Sequence, residues 1–186
     1  MREAHAGGYL VVVYGPPLSG KSTLAWELAR TLTGKSAVVS TDSLLEGSIA
    51  VSDEDAQAEL EMAHTQARLL VANYMKNLYH VVVEGPFFFE RHDVLHRFEQ
   101  EIDQTLVLMR NMTSRTLLVR LTAGEAELAA RAQRTGREHE LPAALRIDGM
   151  YKLRRGPLSM SFDTTDAEPA EMAATVRERL MAESFT

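Results

Sequence analysis

Residues 15–22 carry glycines, a lysine and a hydroxyl group at a spacing that suits phosphate binding. Their sequence, Gly-Pro-Pro-Leu-Ser-Gly-Lys-Ser, matches the Walker A pattern G-x-x-x-x-G-K-[ST] in full. The glycines allow backbone angles that turn successive N–H groups toward phosphate oxygens. Lys21 can neutralise the β- and γ-phosphates of a nucleotide, and the Ser22 hydroxyl can ligate Mg²⁺. Nucleotide contacts are predicted along this phosphate loop and one residue beyond it: Gly15, Pro16, Pro17, Leu18, Ser19, Gly20, Lys21, Ser22 and Thr23.

An aspartate follows the next apolar run of the chain. Asp42 comes shortly after Ala-Val-Val at 37–39, a short predicted strand. Ligands of parallel sheets bind at the carboxyl ends of the strands, which would place Asp42 near the phosphate loop. There it could accept the proton of an attacking hydroxyl or help to hold Mg²⁺. In the alternative interpretation, Thr41 or Asp42 only caps the turn that follows.

A glutamate ends a third apolar run, Val-Val-Val at 81–83. Because the carboxyl ends of parallel strands lie at one edge of the sheet, a rule we call the strand-end rule, Glu84 is expected beside Asp42. Its carboxylate could bind a substrate or the water ligands of Mg²⁺. It could equally accept backbone N–H bonds in the turn at Gly85 and Pro86, so the sequence leaves both roles open.

Three arginines recur at a spacing of three residues in the second half of the chain. Arg131, Arg134 and Arg137 could clamp the donor phosphates and the charge that develops during phosphoryl transfer. Arg131 and Arg134 share one face of a predicted helix and are the preferred catalytic candidates. The alternative is a solvated face whose arginines pair with nearby glutamates: Glu125, Glu127 or Glu138.

The segment after Glu84 offers further candidates for substrate contact. The phenylalanines at 87–89 are expected in the core, although they could also form an apolar wall for an aromatic substrate. His92 and His96 would share a helix face and could bind zinc, but the metalloprotease pattern needs glutamate where Asp93 stands. We therefore expect surface histidines, or Arg91 lining the mouth of a substrate site together with His92.

Strand-like and helix-like patterns alternate along the whole chain. Strands are predicted at 9–14, 37–39, 80–84, 116–121 and 160–163, and helices at 21–33, 52–78, 91–109, 122–136, 142–153 and 169–181. Residues 43–51 are predicted to be a loop that contacts the substrate. This alternation favours a three-layer α/β/α sandwich around a five-stranded parallel sheet.

Composition and charge narrow the classes of function. A chain of 186 residues with 45% hydrophobic and 25% charged residues fits one domain, with residues 1–7 expected as a flexible tail. The formal net charge of −6 makes nucleic acid an improbable partner. No apolar run approaches the roughly 18 residues of a membrane span, and cysteine is absent. We expect a cytoplasmic protein that does not contact membranes.

The phosphate loop and the elements around it resemble the small P-loop kinases. This group includes the AAA_33, zeta-toxin, chloramphenicol phosphotransferase and gluconate kinase-like proteins, as well as shikimate and adenylylsulfate kinases. The resemblance implies ATP and Mg²⁺ as cofactors and a mobile helical lid rich in arginine. It also implies a proton-accepting role for Asp42, while Val-Glu-Gly-Pro at 83–86 looks like the Glu-Gly turn of zeta-type kinases.

The sequence therefore predicts an ATP-dependent phosphotransferase that moves the γ-phosphate to a hydroxyl of a small molecule. Lys21, Asp42, Arg131 and Arg134 are the predicted catalytic residues. Asp42, Glu84 and Arg91 are predicted to bind the acceptor, and Ser22 to ligate Mg²⁺. The alternatives are a nucleotide-hydrolysing switch without an acceptor, or a nucleotide sensor that performs no chemistry.

Overall fold

A central parallel sheet organises the chain. The computed structural model describes residues 7–48, 56–85, 87–91, 94–97, 99–109, 112–151 and 159–182. The predicted tail at 1–7 lies outside these ranges except for Gly7. The strands are β1 (Gly8–Tyr14), β2 (Ser36–Ser40), β3 (His80–Glu84), β4 (Phe88–Arg91), β5 (Val94–Arg97), β6 (Thr113–Thr122) and β7 (Ser159–Asp163). Five of them form a sheet in the order β2-β3-β1-β6-β7, and all of its pairings are parallel.

Helices cover both faces of this sheet. They are α1 (Lys21–Thr31), α2 (Thr41–Ser48), α3 (Ala56–Lys76), α4 (Glu99–Met109), α5 (Glu125–Thr135), α6 (Leu141–Asp148) and α7 (Pro169–Met181). The predicted three-layer sandwich is thereby confirmed. None of the helices in the described ranges is both long and apolar enough to cross a membrane.

The central strand β1 explains how the layers are held together. Its alternating side chains enter two separate cores: Leu10 and Val12 pack toward α3, whereas Val11 and Val13 pack toward α1 and α7. All four are fully buried. A strand that is covered on both faces needs a continuous apolar run, which is what this segment of the sequence provides.

The predicted helix at 91–109 is partly wrong. Strands β4 and β5 form an antiparallel hairpin in which Phe88 pairs with Arg97 and Phe89 with His96, and α4 begins only at Glu99. Aromatic and β-branched residues favour strands, and short apolar runs are ambiguous without their pairing partner. The helical spacing invoked for a zinc site is therefore wrong, because His96 lies in a strand; His92 lies outside the described residues.

A buried histidine lies on α3, where it faces the segment that follows β3. His64 is 4% exposed, and its ring stacks on Phe87 at 5.5 Å between centroids. Burial, with a smaller contribution from the charge of Arg68, lowers the pKa of His64 to about 4. The ring is therefore neutral in the folded protein at neutral pH.

This histidine is expected to make the protein sensitive to mild acid. Between about pH 4 and 6.5 the unfolded histidine binds a proton that the folded one excludes, so stability falls as the pH falls through this window. Urea unfolding should show about 2 kcal/mol more loss of stability between pH 7 and pH 5 in the wild type than in His64→Gln. The exposed His139 serves as control, and His139→Gln should behave as the wild type does. Equal pH dependence in all three proteins would contradict this prediction.

Candidate functional site

The phosphate loop is held in a defined conformation by its own backbone. Gly20 has a φ of 88° and forms the N-terminal cap of α1, a left-handed conformation that glycine adopts at little cost. The carbonyl of Pro16 accepts hydrogen bonds from the Ser19 hydroxyl at 2.8 Å and from Lys21 Nζ at 2.8 Å. The loop therefore curves around its lysine at the start of a helix, where N–H groups and the helix dipole favour anions.

Leu18 connects this loop with helix α5 through apolar packing. Its φ of 65° lies in the left-handed region, which costs a residue with a Cβ about 1–2 kcal/mol. The leucine side chain is nevertheless buried, and it packs against apolar residues of α5, of α6 and of the segment just after β6: Ala123, Leu128, Ala132 and Ala144. Burial in this cluster offsets the backbone strain, so the Pro-Pro-Leu filling of the loop serves packing beneath α5.

Charged groups of opposite sign surround Lys21. Burial lowers the pKa of its ammonium group, and the carboxylates of Asp42 and Glu84 oppose that shift. Arg137 also lowers this pKa, and Glu140 raises it. The structure thus brings the two predicted carboxylates and one of the three arginines close to the phosphate-loop lysine.

Glu84 lies at the carboxyl end of β3, between the neighbouring strands β2 and β1. It pairs with Ser40 of β2 on one side and with Val13 of β1 on the other. The residue is 1% exposed, and its Oε2 atom has no hydrogen-bond partner among the described residues. A buried carboxylate oxygen without a partner is costly and needs an explanation. A ligand or a cation that binds beside Lys21 would supply the missing partner.

Asp42 lies in the first turn of a helix. The predicted loop at 43–51 is wrong over residues 43–48, which belong to α2, and residues 49–51 lie outside the described ranges. The Ser40 hydroxyl accepts a hydrogen bond from the Ser43 N–H at 3.2 Å. Ser40 therefore performs the capping that the alternative interpretation had assigned to Thr41 or Asp42, and Asp42 is positioned by the helix.

A close backbone contact sets the position of this helix. A Cβ atom at Gly85 would lie 1.7 Å from the Thr41 hydroxyl oxygen. Only glycine at the end of β3 allows the start of α2 to pack so closely. The turn that follows Glu84 thus determines where Asp42 stands relative to the phosphate loop.

The three arginines differ in their surroundings. Arg131 donates from Nη1 to the Leu18 carbonyl at 3.2 Å and to the Thr164 hydroxyl at 2.9 Å, and from Nε to Glu127 at 2.7 Å. Arg134 is more exposed and shares Glu127 at 2.9 Å. These contacts connect α5 to the phosphate loop through Arg131 and leave Arg134 at the surface of the site.

Arg137, which the sequence ranked last, follows the end of α5 and pairs with Glu140. Its guanidinium group donates to both carboxylate oxygens of Glu140, at 2.6 and 2.8 Å. Its charge also affects the pKa of Lys21. Helix α5 ends before it at Gly136, so a chain turn and not the helix face determines where this arginine points.

A buried threonine joins β7 to the phosphate loop and was missed by the sequence analysis. The Thr164 hydroxyl lies 3.1 Å from the Ser19 carbonyl and 3.0 Å from the Thr122 carbonyl, and shares its proton between them. It also accepts the hydrogen bond from Arg131. The run Asp-Thr-Thr-Asp at 163–166 follows a strand at the ligand-binding edge, which is the signal that could have identified it.

The structure tests the predicted substrate mouth only in part. Phe87 is 2% exposed and belongs to the core, where its N–H donates to the Tyr151 hydroxyl at 3.3 Å. The backbone of Arg91 lies in β4, but the side chains of 88–99 lie outside the described residues. The contact predicted for Arg91 stays a prediction.

Two cavities open beside the phosphate loop. The loop cavity has a volume of ≈ 670 Å³ and lies between the phosphate loop, α5 and residues 164–169. The edge cavity has a volume of ≈ 510 Å³ and lies beside the outer strand β2. Three residues line both cavities: Ser22, Asp42 and Arg137. The point where the cavities meet therefore holds a hydroxyl, a carboxylate and a guanidinium group.

Comparison with known proteins agrees with this geometry. The model of the AAA_33 family, described as an AAA domain, matches residues 10–156. The chain belongs to the AAA_33 family. No protein of curated function matches the chain.

Several solved structures with the same fold are described as kinases. A protein from Chloroflexus aurantiacus, provisionally named a kinase, is 18% identical over 94% of this chain and 100% of its own, with a TM-score of 0.68. The APS kinase of Mycobacterium tuberculosis, in complex with AMPPNP and APS, is 17% identical over 95% and 99% of the two chains, with a TM-score of 0.61. Shikimate kinase from Acinetobacter baumannii, with shikimate bound, is 13% identical over 96% of each chain, with a TM-score of 0.59. The AAA_33 chain thus has the fold of these P-loop kinases.

The contacts of the arginines predict unequal effects on stability. Arg131→Gln would leave the Leu18 carbonyl and Thr164 without their donor, and we expect a loss of about 1–3 kcal/mol in the free energy of unfolding. Arg134→Gln removes an exposed ion pair and should change stability by less than about 0.5 kcal/mol. Urea denaturation measures both variants. Equal destabilisation by the two variants would contradict the anchoring role of Arg131.

Proposed function

We propose that this AAA_33 protein is an ATP-dependent kinase that phosphorylates a hydroxyl of a small molecule. The observation that carries the proposal is the meeting of the loop and edge cavities at Ser22, Asp42 and Arg137. A phosphotransferase needs separate compartments for donor and acceptor that share the transfer point. A nucleotide-hydrolysing switch needs only the first of them.

The loop cavity suits the donor. The phosphates of ATP would lie on the N–H groups of residues 15–23 and against Lys21, with the nucleoside directed toward residues 164–169. The Ser22 hydroxyl, which lines the loop cavity, is an oxygen donor of the type that Mg²⁺ prefers. When bound, this ion would neutralise part of the phosphate charge.

The chemistry then follows from the groups at the transfer point. The acceptor oxygen attacks the γ-phosphorus and forms a new O–P bond, while the bond from that phosphorus to the bridging oxygen of ADP breaks. Asp42 takes the proton of the acceptor hydroxyl. Lys21 and Arg137 stabilise charge on the transferred group, and the predicted contributions of Arg131 and Arg134 come from α5, on the opposite side of the loop cavity.

The destination of the γ-phosphate tests the proposal. The purified protein would be incubated with ATP labelled at the γ-position and Mg²⁺, with and without a panel of hydroxyl-bearing small molecules. We expect acceptor-dependent release of ADP, with the label recovered on the acceptor. Release of labelled inorganic phosphate at the same rate with every acceptor would instead identify a hydrolytic switch. Nucleotide binding without turnover would identify a sensor.

A further inference from the structure

The wall of the edge cavity includes one exposed aromatic ring. Trp26 is the only tryptophan of the chain, and it is 54% exposed. It lies on α1 four residues after Ser22, so the two side chains share one face of the helix. An exposed indole in a cavity wall one helical turn from the transfer point offers a flat stacking surface to a bound acceptor.

Apolar side chains from α2 and α3 form part of the remaining wall of this cavity. Leu44, Leu70 and Tyr74 line it, and they are partly buried against the main core. Their fixed positions make the cavity a preformed site for the carbon skeleton of an acceptor. The charged residues that line the cavity are available for polar recognition.

Those charged residues carry an excess of negative charge. Among the described residues that line the edge cavity, the charged ones are Asp42, Glu84, Glu140 and Arg137. Arg137 and Glu140 compensate one another through two hydrogen bonds, which leaves two carboxylates facing the cavity. Lys21 lies on the side of the loop cavity, where donor phosphates would engage it. A bound nucleotide would add further negative charge, so the field in the edge cavity favours cations.

We propose that the acceptor is an amine-bearing alcohol, protonated at neutral pH, whose skeleton packs on the face of Trp26. This inference rests on the proposed function and names its substrate class. The ammonium group would be attracted both to the indole ring and to the carboxylate of Glu84, which Arg137 does not compensate. Asp42 would lie next to the acceptor's hydroxyl group, whose proton it takes. Alcohols that carry a carboxylate or a phosphate would meet like charge at the same place and bind weakly.

Two series of compounds matched in their skeletons test the charge preference. One series is glucosamine, glucose and gluconate; the other is phenylalaninol, 3-phenyl-1-propanol and 3-phenyllactate. Each would be titrated into the protein with AMP-PNP and Mg²⁺ present, and the fluorescence of Trp26 would report binding. In at least one series we expect the cationic member to bind about tenfold or more tightly than the anionic member. Tighter binding of an anionic member, or no binding of any of the six, would overturn the proposal.

Variants test the stacking surface. Trp26→Ala should weaken the binding of the preferred amine about tenfold, measured by calorimetry, whereas Trp26→Phe should restore most of it. Met181, also 54% exposed but at the end of α7, provides the control, and Met181→Ala should bind as the wild type does. Unchanged affinity in Trp26→Ala would refute the role of this ring even if the charge preference held.

The same titrations separate this inference from the proposed function. If the amine binds at Trp26 and no label is transferred from ATP, the binding class is right and the kinase assignment is wrong. If label is transferred as readily to gluconate or to 3-phenyllactate as to the amines, the kinase assignment is right and the inferred class is wrong.

Discussion

Substitution of Lys21 by methionine is expected to weaken the binding of AMP-PNP with Mg²⁺ by about a hundredfold or more. Methionine keeps most of the buried stem and removes the charge, and loss of one partner from a buried charged contact typically costs about 3–5 kcal/mol. The ammonium group sits against the Pro16 carbonyl inside the phosphate loop, which is why the effect should be large. Calorimetric titration of the wild type and the variant gives both affinities.

A second lysine provides the control for this experiment. Lys35 is exposed, and its ammonium group lies over the ring of Tyr79 at 5.5 Å. It precedes β2, at the end of the sheet opposite the phosphate loop. Lys35→Met should bind the nucleotide with wild-type affinity. Thermal unfolding should show that both variants are folded, and normal binding by Lys21→Met would refute the assignment of the phosphate loop.

Substitution of Asp42 by asparagine is expected to lower kcat for acceptor phosphorylation by about a hundredfold to ten-thousandfold. Asparagine keeps the size of the side chain but cannot take up the proton of the acceptor hydroxyl. The affinity for AMP-PNP should change little, because the phosphate contacts proposed for the nucleotide come from residues 15–23. Initial rates of labelled acceptor formation, compared with nucleotide titrations, separate the two effects.

An aspartate away from the site controls for the loss of one negative charge. Asp103 is exposed on α4, and Asp103→Asn should turn over at the wild-type rate. If Asp42→Asn phosphorylates the acceptor as fast as the wild type does, Asp42 is not the proton acceptor. In that case Glu84, the other carboxylate at this edge of the sheet, becomes the candidate to test by Glu84→Gln.

The hairpin β4–β5 shows where sequence patterns were insufficient. Residues 88–97 contain aromatic and β-branched residues whose spacing also fits a short helix. The hairpin is stabilised by hydrogen bonds between its two strands, and no pattern within one strand reports that pairing. The start of α2 was missed for a related reason, because Thr-Asp-Ser suits either a turn or the first turn of a helix.

The phosphate loop could be predicted from the sequence because its function resides in contiguous residues. The backbone N–H groups, the glycine at the helix start and the lysine all belong to residues 15–22. The alternation of strands and helices likewise predicted the parallel sheet, since each element buries a face that its own residues define. From these two features the strand-end rule placed Asp42 and Glu84 at the correct edge.

Only the tertiary structure decided which distant groups meet that loop. Thr164 is 145 residues away from Ser19 and Arg131 is 113 residues away from Leu18, yet hydrogen bonds join both pairs. Arg137 lines both cavities together with Ser22 and Asp42, because α5 is capped at Gly136 and the chain turns there. Contacts of this kind depend on how layers pack and where helices end, so no local spacing encodes them. The phosphate loop could be predicted from one segment of the chain, whereas the proposed acceptor side forms only where α1, α2, α3 and the turn after α5 come together.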